Sequence, residues 1–140
     1  MFCTVNWMGI DGMSFSAEVG SGHIVNMDGA PEAGGKNLAP RPMELLLAGA
    51  GGCTAFDVVM ILKKSHQNIE GCKVMIEADR ADIDPKVFTH INMKFIVTGK
   101  GLDPNKVTKA VELSHDKYCS ATIMLGKTAS ITHSIEIVEI

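Results

Sequence analysis

An apolar segment, from Met43 to Leu62, limits what this chain can fold into more than any other feature. Its only charged side chains are Glu44 and Asp57, so its length and composition are those of a membrane-spanning helix. However, an Asp inside a bilayer costs about 2.5–3.5 kcal/mol on insertion scales, and three glycines interrupt the same segment. We therefore predict a helix buried at the centre of a soluble protein, and no interaction with a membrane.

The predicted helix runs from Pro42 to about Gln67. Proline suits the first turn of a helix, because an N–H group there has no hydrogen-bond partner within the helix. Its middle, Ala48 to Gly52, contains three glycines, each of which costs about 1 kcal/mol relative to alanine. Close approach of another backbone would offset that cost. The alternative is a break into two helices at Gly51-Gly52.

The rest of the sequence predicts a single α+β domain that covers residues 1–140. Asp103-Pro104 is typical of a helix N-cap and first turn, and predicts a helix to about Tyr118. A shorter helix follows from Cys119 to Leu125, and a loop rich in Gly, Pro and Ala occupies 28–40. The clearest alternation of apolar and polar residues is in 89–97. Six strands are predicted, at 1–7, 14–19, 23–27, 71–80, 89–97 and 130–140.

Charge and composition exclude several function classes. A net charge of −3, a pI near 5.9 and only two arginines predict no nucleic-acid partner. The first residues lack a basic region followed by an apolar one, so we expect a cytoplasmic protein. Four cysteines lie far apart without a Cys-x-x-Cys pair, and the histidines lack metal-ligand spacing, so we predict no metal site.

Two of the four cysteines are candidates for thiol chemistry. Cys53 follows Gly51-Gly52 in the apolar helix, where small neighbours allow a substrate or a second sulfur to reach it. Cys119 opens the short third helix, whose free N–H groups and dipole favour a thiolate. Inert packing is the alternative for both, because free cysteines are often buried. Three other residues are expected to pack in the interior: Cys3, Cys72 and, as a hydrogen-bonded core histidine, His133.

Two motifs point to a family. Pro42-Met43-Glu44-Leu45-Leu46-Leu47-Ala48 runs to Gly52-Cys53, and a second cysteine follows in Tyr118-Cys119-Ser120. This pattern resembles the OsmC/Ohr family, in which a Pro-Glu-(Glu/Gln)-Leu start and small residues precede a helical cysteine, with a second cysteine farther along the chain. The variants Gly-Gly-Cys-x-x-x-Asp, Phe88–Ile91 and Ile131–Ser134 look most like its YhfA-like branch.

The resemblance implies an OsmC-like fold, in which mixed and antiparallel sheets from two chains wrap two long central helices in an intertwined homodimer. It also implies reduction of small organic hydroperoxides without a metal or organic cofactor. By position, Cys53 corresponds to the peroxidatic cysteine, which becomes a sulfenic acid. Cys119 corresponds to the resolving cysteine, and an external dithiol would restore both thiols.

The residues that activate the family's cysteine are not all matched. Met43 occupies the position of the family's glutamate, and the acid lies one residue later, at Glu44, about 100° around the helix. The loop 28–40, from which the family's arginine comes, contains no arginine. Arg41 is too close to the helix to match it. Arg80 is either a substitute from a strand end or a surface charge.

Asp57, one helical turn beyond Cys53, would disfavour a thiolate when ionised. Together with the missing arginine, this carboxylate predicts a peroxidase of weak or altered activity. Two alternatives on the same fold stay open. One is a non-catalytic protein that binds a small apolar molecule or lipid, and the other is a redox sensor whose disulfide changes a partner contact.

Overall fold

The computed structural model describes residues 1–140 as two compact units, residues 1–48 and 49–140. Each unit contains one three-stranded sheet, and the boundary between the units falls within the long first helix. Strands and helices are mixed along the chain as the sequence predicted, so the α+β class is confirmed. That the two units form one domain stays a prediction.

The N-terminal sheet is antiparallel, with the strand order β1-β2-β3. Its strands are β1 (Cys3–Trp7), β2 (Ser14–Val19) and β3 (Ile24–Asp28), close to the predicted bounds. A short 3-10 turn, Pro31–Ala33, lies in the loop that follows. Cys3 is exposed on β1, so the prediction that it packs in the interior is wrong.

Asp28, at the end of β3, organises the loop that leads to the first helix. Its carboxylate accepts N–H bonds from Gly29 at 2.8 Å and from Lys36 and Leu38 at 3.0 Å each. The bond from Leu38 contributes most to lowering the pKa of Asp28, against the effect of its burial. At Gly35 a Cβ would lie 1.7 Å from the carbonyl oxygen of Gly29, so only glycine fits there. The composition of the loop did not indicate this arrangement.

Helix α1 (Pro42–Lys64) is continuous, so the alternative of a break at Gly51-Gly52 is wrong. The expected close approach occurs at one glycine and involves a side chain: a Cβ on Gly51 would lie 2.8 Å from Cδ1 of Ile76. Apart from the adjacent residues and the nearby backbone of the helix itself, no atom lies within 4 Å of a Cβ built on Gly49 or Gly52. The helix ends at Lys64, and the turn that follows contains a left-handed residue, His66, whose φ is 58°.

Burial of α1 within the chain is confined to one stripe, where a buried side chain recurs every four residues. This stripe comprises Ala50, Thr54, Val58 and Leu62. The opposite side, which we call the exposed face of α1, comprises Gly49, Gly52, Phe56 and Met60. Phe56 is 65% exposed there. One chain therefore buries only part of the predicted central helix, because its C-terminal unit offers a single sheet and two short helices as cover.

By length and composition alone, α1 is also able to cross a membrane. An 18-residue window of it has a mean hydropathy of 2.0, and 22% of that window is buried. Core helices of soluble proteins pass the same test of length and hydropathy, so one such helix is weak evidence of a membrane span.

The C-terminal sheet is mixed, with the order β4-β5-β6. Strands β4 (Asn68–Arg80) and β5 (Phe88–Lys100) are antiparallel, whereas β6 (Ser130–Glu139) runs parallel to β5. The alternation predicted for β5 is confirmed at its centre, where every second side chain is at most 2% exposed: Ile91, Met93, Phe95 and Val97. On β6, His133 is exposed, so the prediction of a core histidine is wrong.

The crossover from β5 to β6 carries two helices, α2 (Pro104–Leu113) and α3 (Ser120–Leu125). Asp103 caps α2 as predicted, because its side chain accepts the N–H of Asn105 at 2.9 Å. The predicted continuation to Tyr118 is a π-helical turn, Ser114–Tyr118. This wider turn closes with a bond from the N–H of Cys119 to the carbonyl of Ser114 at 2.9 Å, and it leads directly into α3.

Candidate functional site

Three side chains that can act as nucleophiles or metal ligands converge in the C-terminal unit. The sulfurs of Cys53 and Cys119 and a carboxylate oxygen of Asp57 all lie within 4.8 Å of one another. Cys53 and Asp57 are four residues apart on α1, so they share one side of that helix, and both are half-buried. Cys119 precedes the first residue of α3 and is fully buried. We call these three residues the Cys-Asp-Cys cluster.

Cys119 is held by the start of α3. The backbone N–H of Thr122 donates a hydrogen bond to its sulfur at 3.5 Å, as an N-cap residue requires. Burial nevertheless raises the pKa of the Cys119 thiol, and the neighbouring Cys53 raises it further, whereas the bonds from Thr122 lower it. Burial raises the pKa of Cys119 more than the hydrogen bonds at the start of α3 lower it. The expectation that a thiolate is favoured at Cys119 is therefore wrong.

A chain of buried hydroxyl groups supports Asp57. Ser114 Oγ donates to Asp57 Oδ2 at 3.0 Å, and Thr54 Oγ1 lies 2.8 Å from Ser114 Oγ. Since the single hydroxyl proton of Ser114 is directed at Asp57, Thr54 is the donor to Ser114. These hydrogen bonds join α1 to the π-helical turn that precedes Cys119. Sequence reasoning missed both hydroxyls, although a serine on the apolar face of the predicted second helix was a usable signal.

The other three charged residues considered as supporting groups, Arg41, Glu44 and Arg80, make local contacts elsewhere. Arg41 and Glu44 pair with each other at the start of α1, with Nη1 and Oε1 3.4 Å apart. Glu44 also accepts the backbone N–H of Arg41 at 2.9 Å, which caps the helix. Arg80 is exposed, and its Nε donates to the carbonyl of Lys86 at 2.8 Å in the loop between β4 and β5.

The fourth cysteine, Cys72, lies on β4 and is half-buried. Burial raises the pKa of the Cys72 thiol, which keeps it protonated and less reactive. It therefore offers a matched control for the two cysteines of the cluster.

Comparison with known proteins decides the family. The model of the OsmC family, described as OsmC-like protein, matches residues 34–134. The chain belongs to the OsmC family. Among curated proteins, the protein YhfA of Escherichia coli strain K12 is 47% identical over 138 residues, which are 99% of this chain and 98% of YhfA. The resemblance inferred from the cysteine motifs is therefore confirmed.

Solved structures agree with the OsmC assignment. A hypothetical protein from Aquifex aeolicus VF5 is 25% identical with a TM-score of 0.84, over 100% of this chain and 98% of that one. An organic hydroperoxide resistance protein OsmC from Legionella pneumophila is 17% identical with a TM-score of 0.68, over 97% of each chain. At that identity the second comparison shows the fold alone. The OsmC-like fold is thus confirmed.

Proposed function

We propose that this OsmC-family protein reduces organic hydroperoxides with the thiols of Cys53 and Cys119. Family membership supports a role in peroxide resistance, and the Legionella relative of the same fold is described as an organic hydroperoxide resistance protein. The observation that carries the proposal is the approach of the two sulfurs to within 4.8 Å, from helices that are distant in sequence. A disulfide requires a further approach to about 2.05 Å, which side-chain rotation and small backbone shifts can supply.

The difference in exposure supports different roles for the two cysteines. Cys53 is half-buried and open to a small substrate, so its thiolate attacks the terminal oxygen of the hydroperoxide. The S–O bond forms as the O–O bond breaks, the alkoxide takes up a proton and leaves as an alcohol, and Cys53 becomes a sulfenic acid.

Cys119 completes the cycle as the resolving thiol. Its burial and raised pKa keep it protonated until Cys53 has reacted. Its sulfur then attacks the Cys53 sulfur, the S–S bond forms, and the hydroxyl leaves with a proton as water. An external dithiol reduces the disulfide by exchange and is itself oxidised.

The surroundings of Cys53 predict a slow first step. Neither arginine of the chain belongs to the cluster, because Arg41 pairs with Glu44 and Arg80 donates to the carbonyl of Lys86. A positioned donor that stabilises a developing oxyanion is worth about 2.7–4 kcal/mol in other enzymes. With no arginine in the cluster to stabilise the departing alkoxide, we expect turnover to be orders of magnitude slower than in relatives that have one.

The proposed activity is tested with fully reduced, metal-free protein and one equivalent of cumene hydroperoxide. We expect peptide mapping to find one disulfide, between Cys53 and Cys119, and a thioredoxin-type dithiol to sustain slow turnover. Cys53→Ser should abolish hydroperoxide consumption, whereas Cys119→Ser should stop at a sulfenic acid that dimedone traps. Cys72→Ser, the matched control, should behave as the wild type. A dominant disulfide that involves Cys72, or oxidation without turnover, contradicts the proposal.

We further propose that the functional form is a homodimer in the cytoplasm, without membrane or nucleic-acid partners. The exposed face of α1 supports the homodimer, since Phe56 and Met60 are apolar and exposed there. Two glycines on the same face allow a second helix to approach closely.

A further inference from the structure

We propose that the reduced Cys-Asp-Cys cluster binds one Zn²⁺ ion per chain, through the sulfurs of Cys53 and Cys119 and one oxygen of Asp57. This metal site goes beyond the peroxidase proposal, with which it shares the close approach of the two thiols. It also departs from the sequence analysis, which predicted no metal. The three ligands are not adjacent in the sequence, so spacing alone did not indicate them.

The types and positions of the ligands suit zinc. Thiolate sulfur binds Zn²⁺ at about 2.3 Å and carboxylate oxygen at about 2.0–2.2 Å, so tetrahedral geometry places such ligand atoms roughly 3.5–3.8 Å apart. The three atoms lie within 4.8 Å of one another, and small side-chain rotations bring them to those separations. Cys53 and Asp57 are half-buried, which leaves a fourth position that water can occupy.

Two of the three ligands already have the supporting hydrogen bonds that metal ligands need. Ser114 donates to Oδ2 of Asp57, which fixes the carboxylate and leaves its other oxygen free. The N–H of Thr122 donates to the sulfur of Cys119. Such outer bonds hold a ligand in position before the ion arrives, and they reduce the cost of ordering the site.

Charge also favours a cation at the cluster. With both thiols ionised, the three ligands carry three negative charges, and the hydrogen bonds to Asp57 and Cys119 come from a hydroxyl and an amide. A bound Zn²⁺ ion stabilises both thiolates, so binding releases the thiol protons.

Zinc binding and disulfide formation exclude each other, because both use the same two sulfurs. Oxidation by an organic hydroperoxide removes two electrons from the two thiolates and breaks the O–O bond. Two protons from solvent complete the alcohol and water. The disulfide that forms cannot ligate as thiolates do, so the Zn²⁺ ion is released. Conversely, bound zinc should protect both cysteines from alkylation and from oxidation.

The test titrates reduced, metal-free protein with Zn²⁺ in competition with a chromophoric chelator. We expect one ion per chain, and with Co²⁺ in place of zinc a sulfur-to-cobalt charge-transfer band. Cys53→Ser and Cys119→Ser should each weaken affinity at least 100-fold, and Asp57→Asn about 10-fold. Cys72→Ser should leave it unchanged. In the wild type, zinc should slow iodoacetamide alkylation of Cys53 and Cys119 but not of the exposed Cys3, which serves as an internal control.

Several results would overturn the site. They are a wild-type protein that binds no zinc, serine variants that bind as tightly as the wild type, or equal alkylation rates with and without zinc. If Asp57→Asn bound zinc as tightly as the wild type, Asp57 would not be a ligand, and the proposed site with three ligands would be wrong. The peroxidase assay uses metal-free protein, so the two proposals fail separately. Turnover without zinc binding overturns only the zinc site, and zinc binding without turnover overturns only the peroxidase.

Discussion

Ser114 carries a single hydroxyl proton, which the structure directs at Asp57 Oδ2, 3.0 Å away. Its oxygen accepts from Thr54, and both hydroxyl residues are at most 1% exposed. Buried polar groups of this kind are tolerated only when they are paired, because each would otherwise lose its bonds to water without replacement. One serine thus fixes the carboxylate of the Cys-Asp-Cys cluster and orients the turn that leads to Cys119.

We expect Ser114→Ala to lower the free energy of unfolding by about 1–3 kcal/mol, because it removes the partner of the buried Thr54 hydroxyl and a hydrogen bond to the half-buried Asp57. Urea unfolding at pH 7 measures the change. The matched control is Ser134→Ala on β6, where the serine is exposed and the expected change is within about 0.5 kcal/mol. Equal losses in the two variants would mean that the hydroxyl chain contributes nothing.

At the scale of elements, the loop between β3 and α1 shows how one carboxylate can replace regular secondary structure. Asp28 accepts three backbone N–H bonds, two of them from residues on the far side of the loop, Lys36 and Leu38. These bonds favour the ionised form, so the pKa of Asp28 lies below its ordinary value of 3.8. The stabilisation is present above pH 3.8 and is lost as the pH falls through the lowered pKa of the folded state.

We expect Asp28→Asn to loosen this loop at neutral pH, because an amide offers one acceptor oxygen where the carboxylate offered two. Hydrogen exchange should show faster exchange at the amides of Lys36 and Leu38. Fluorescence of Trp7, the only tryptophan, should report a lower urea midpoint for the N-terminal unit. Asp11→Asn, at an exposed position, is the control. Below pH 3 the difference between Asp28→Asn and the wild type should shrink, and a constant difference would argue against the ionised carboxylate as its cause.

For the whole molecule, the apolar composition of α1 and its limited burial within one chain both favour a homodimer. Seen in one chain, the helix buries a four-residue stripe and leaves Phe56 65% exposed on the opposite side. Burial of apolar area contributes about 25 cal/mol per Å², so an exposed apolar face beside two glycines favours a second copy of the same face. A homodimer formed this way would complete the burial that the sequence predicted.

We expect sedimentation at micromolar concentration to give about twice the chain mass of 15.0 kDa. Phe56→Lys should shift the protein towards monomer, and Gly52→Leu should do the same by keeping the helices apart. Ile10→Lys, at a residue that is 86% exposed outside this face, is the control and should remain dimeric. A folded wild-type monomer would rule out the proposed assembly.

The sequence by itself determined the features that depend on neighbouring residues. The Asp103-Pro104 start of α2, the positions of Cys119 and Gly126 around α3, and the alternation along β5 all follow from local capping and periodicity. The family followed from motifs around Cys53 and Cys119. These signals are local because a cap or a strand face is defined within a few residues.

Only the tertiary structure decided which side chains meet and how deeply each is buried. The α3 terminus predicted a favoured thiolate at Cys119, yet burial by distant elements reversed the direction of its pKa shift. In the same way, alternation placed His133 on the inner face of β6, but the folded chain leaves its side chain exposed. The meeting of Cys53, Asp57 and Cys119 depends on the packing of α1 against the β5–β6 crossover. Burial and proximity both depend on contacts between residues that are remote in sequence, so a local sequence pattern cannot predict them.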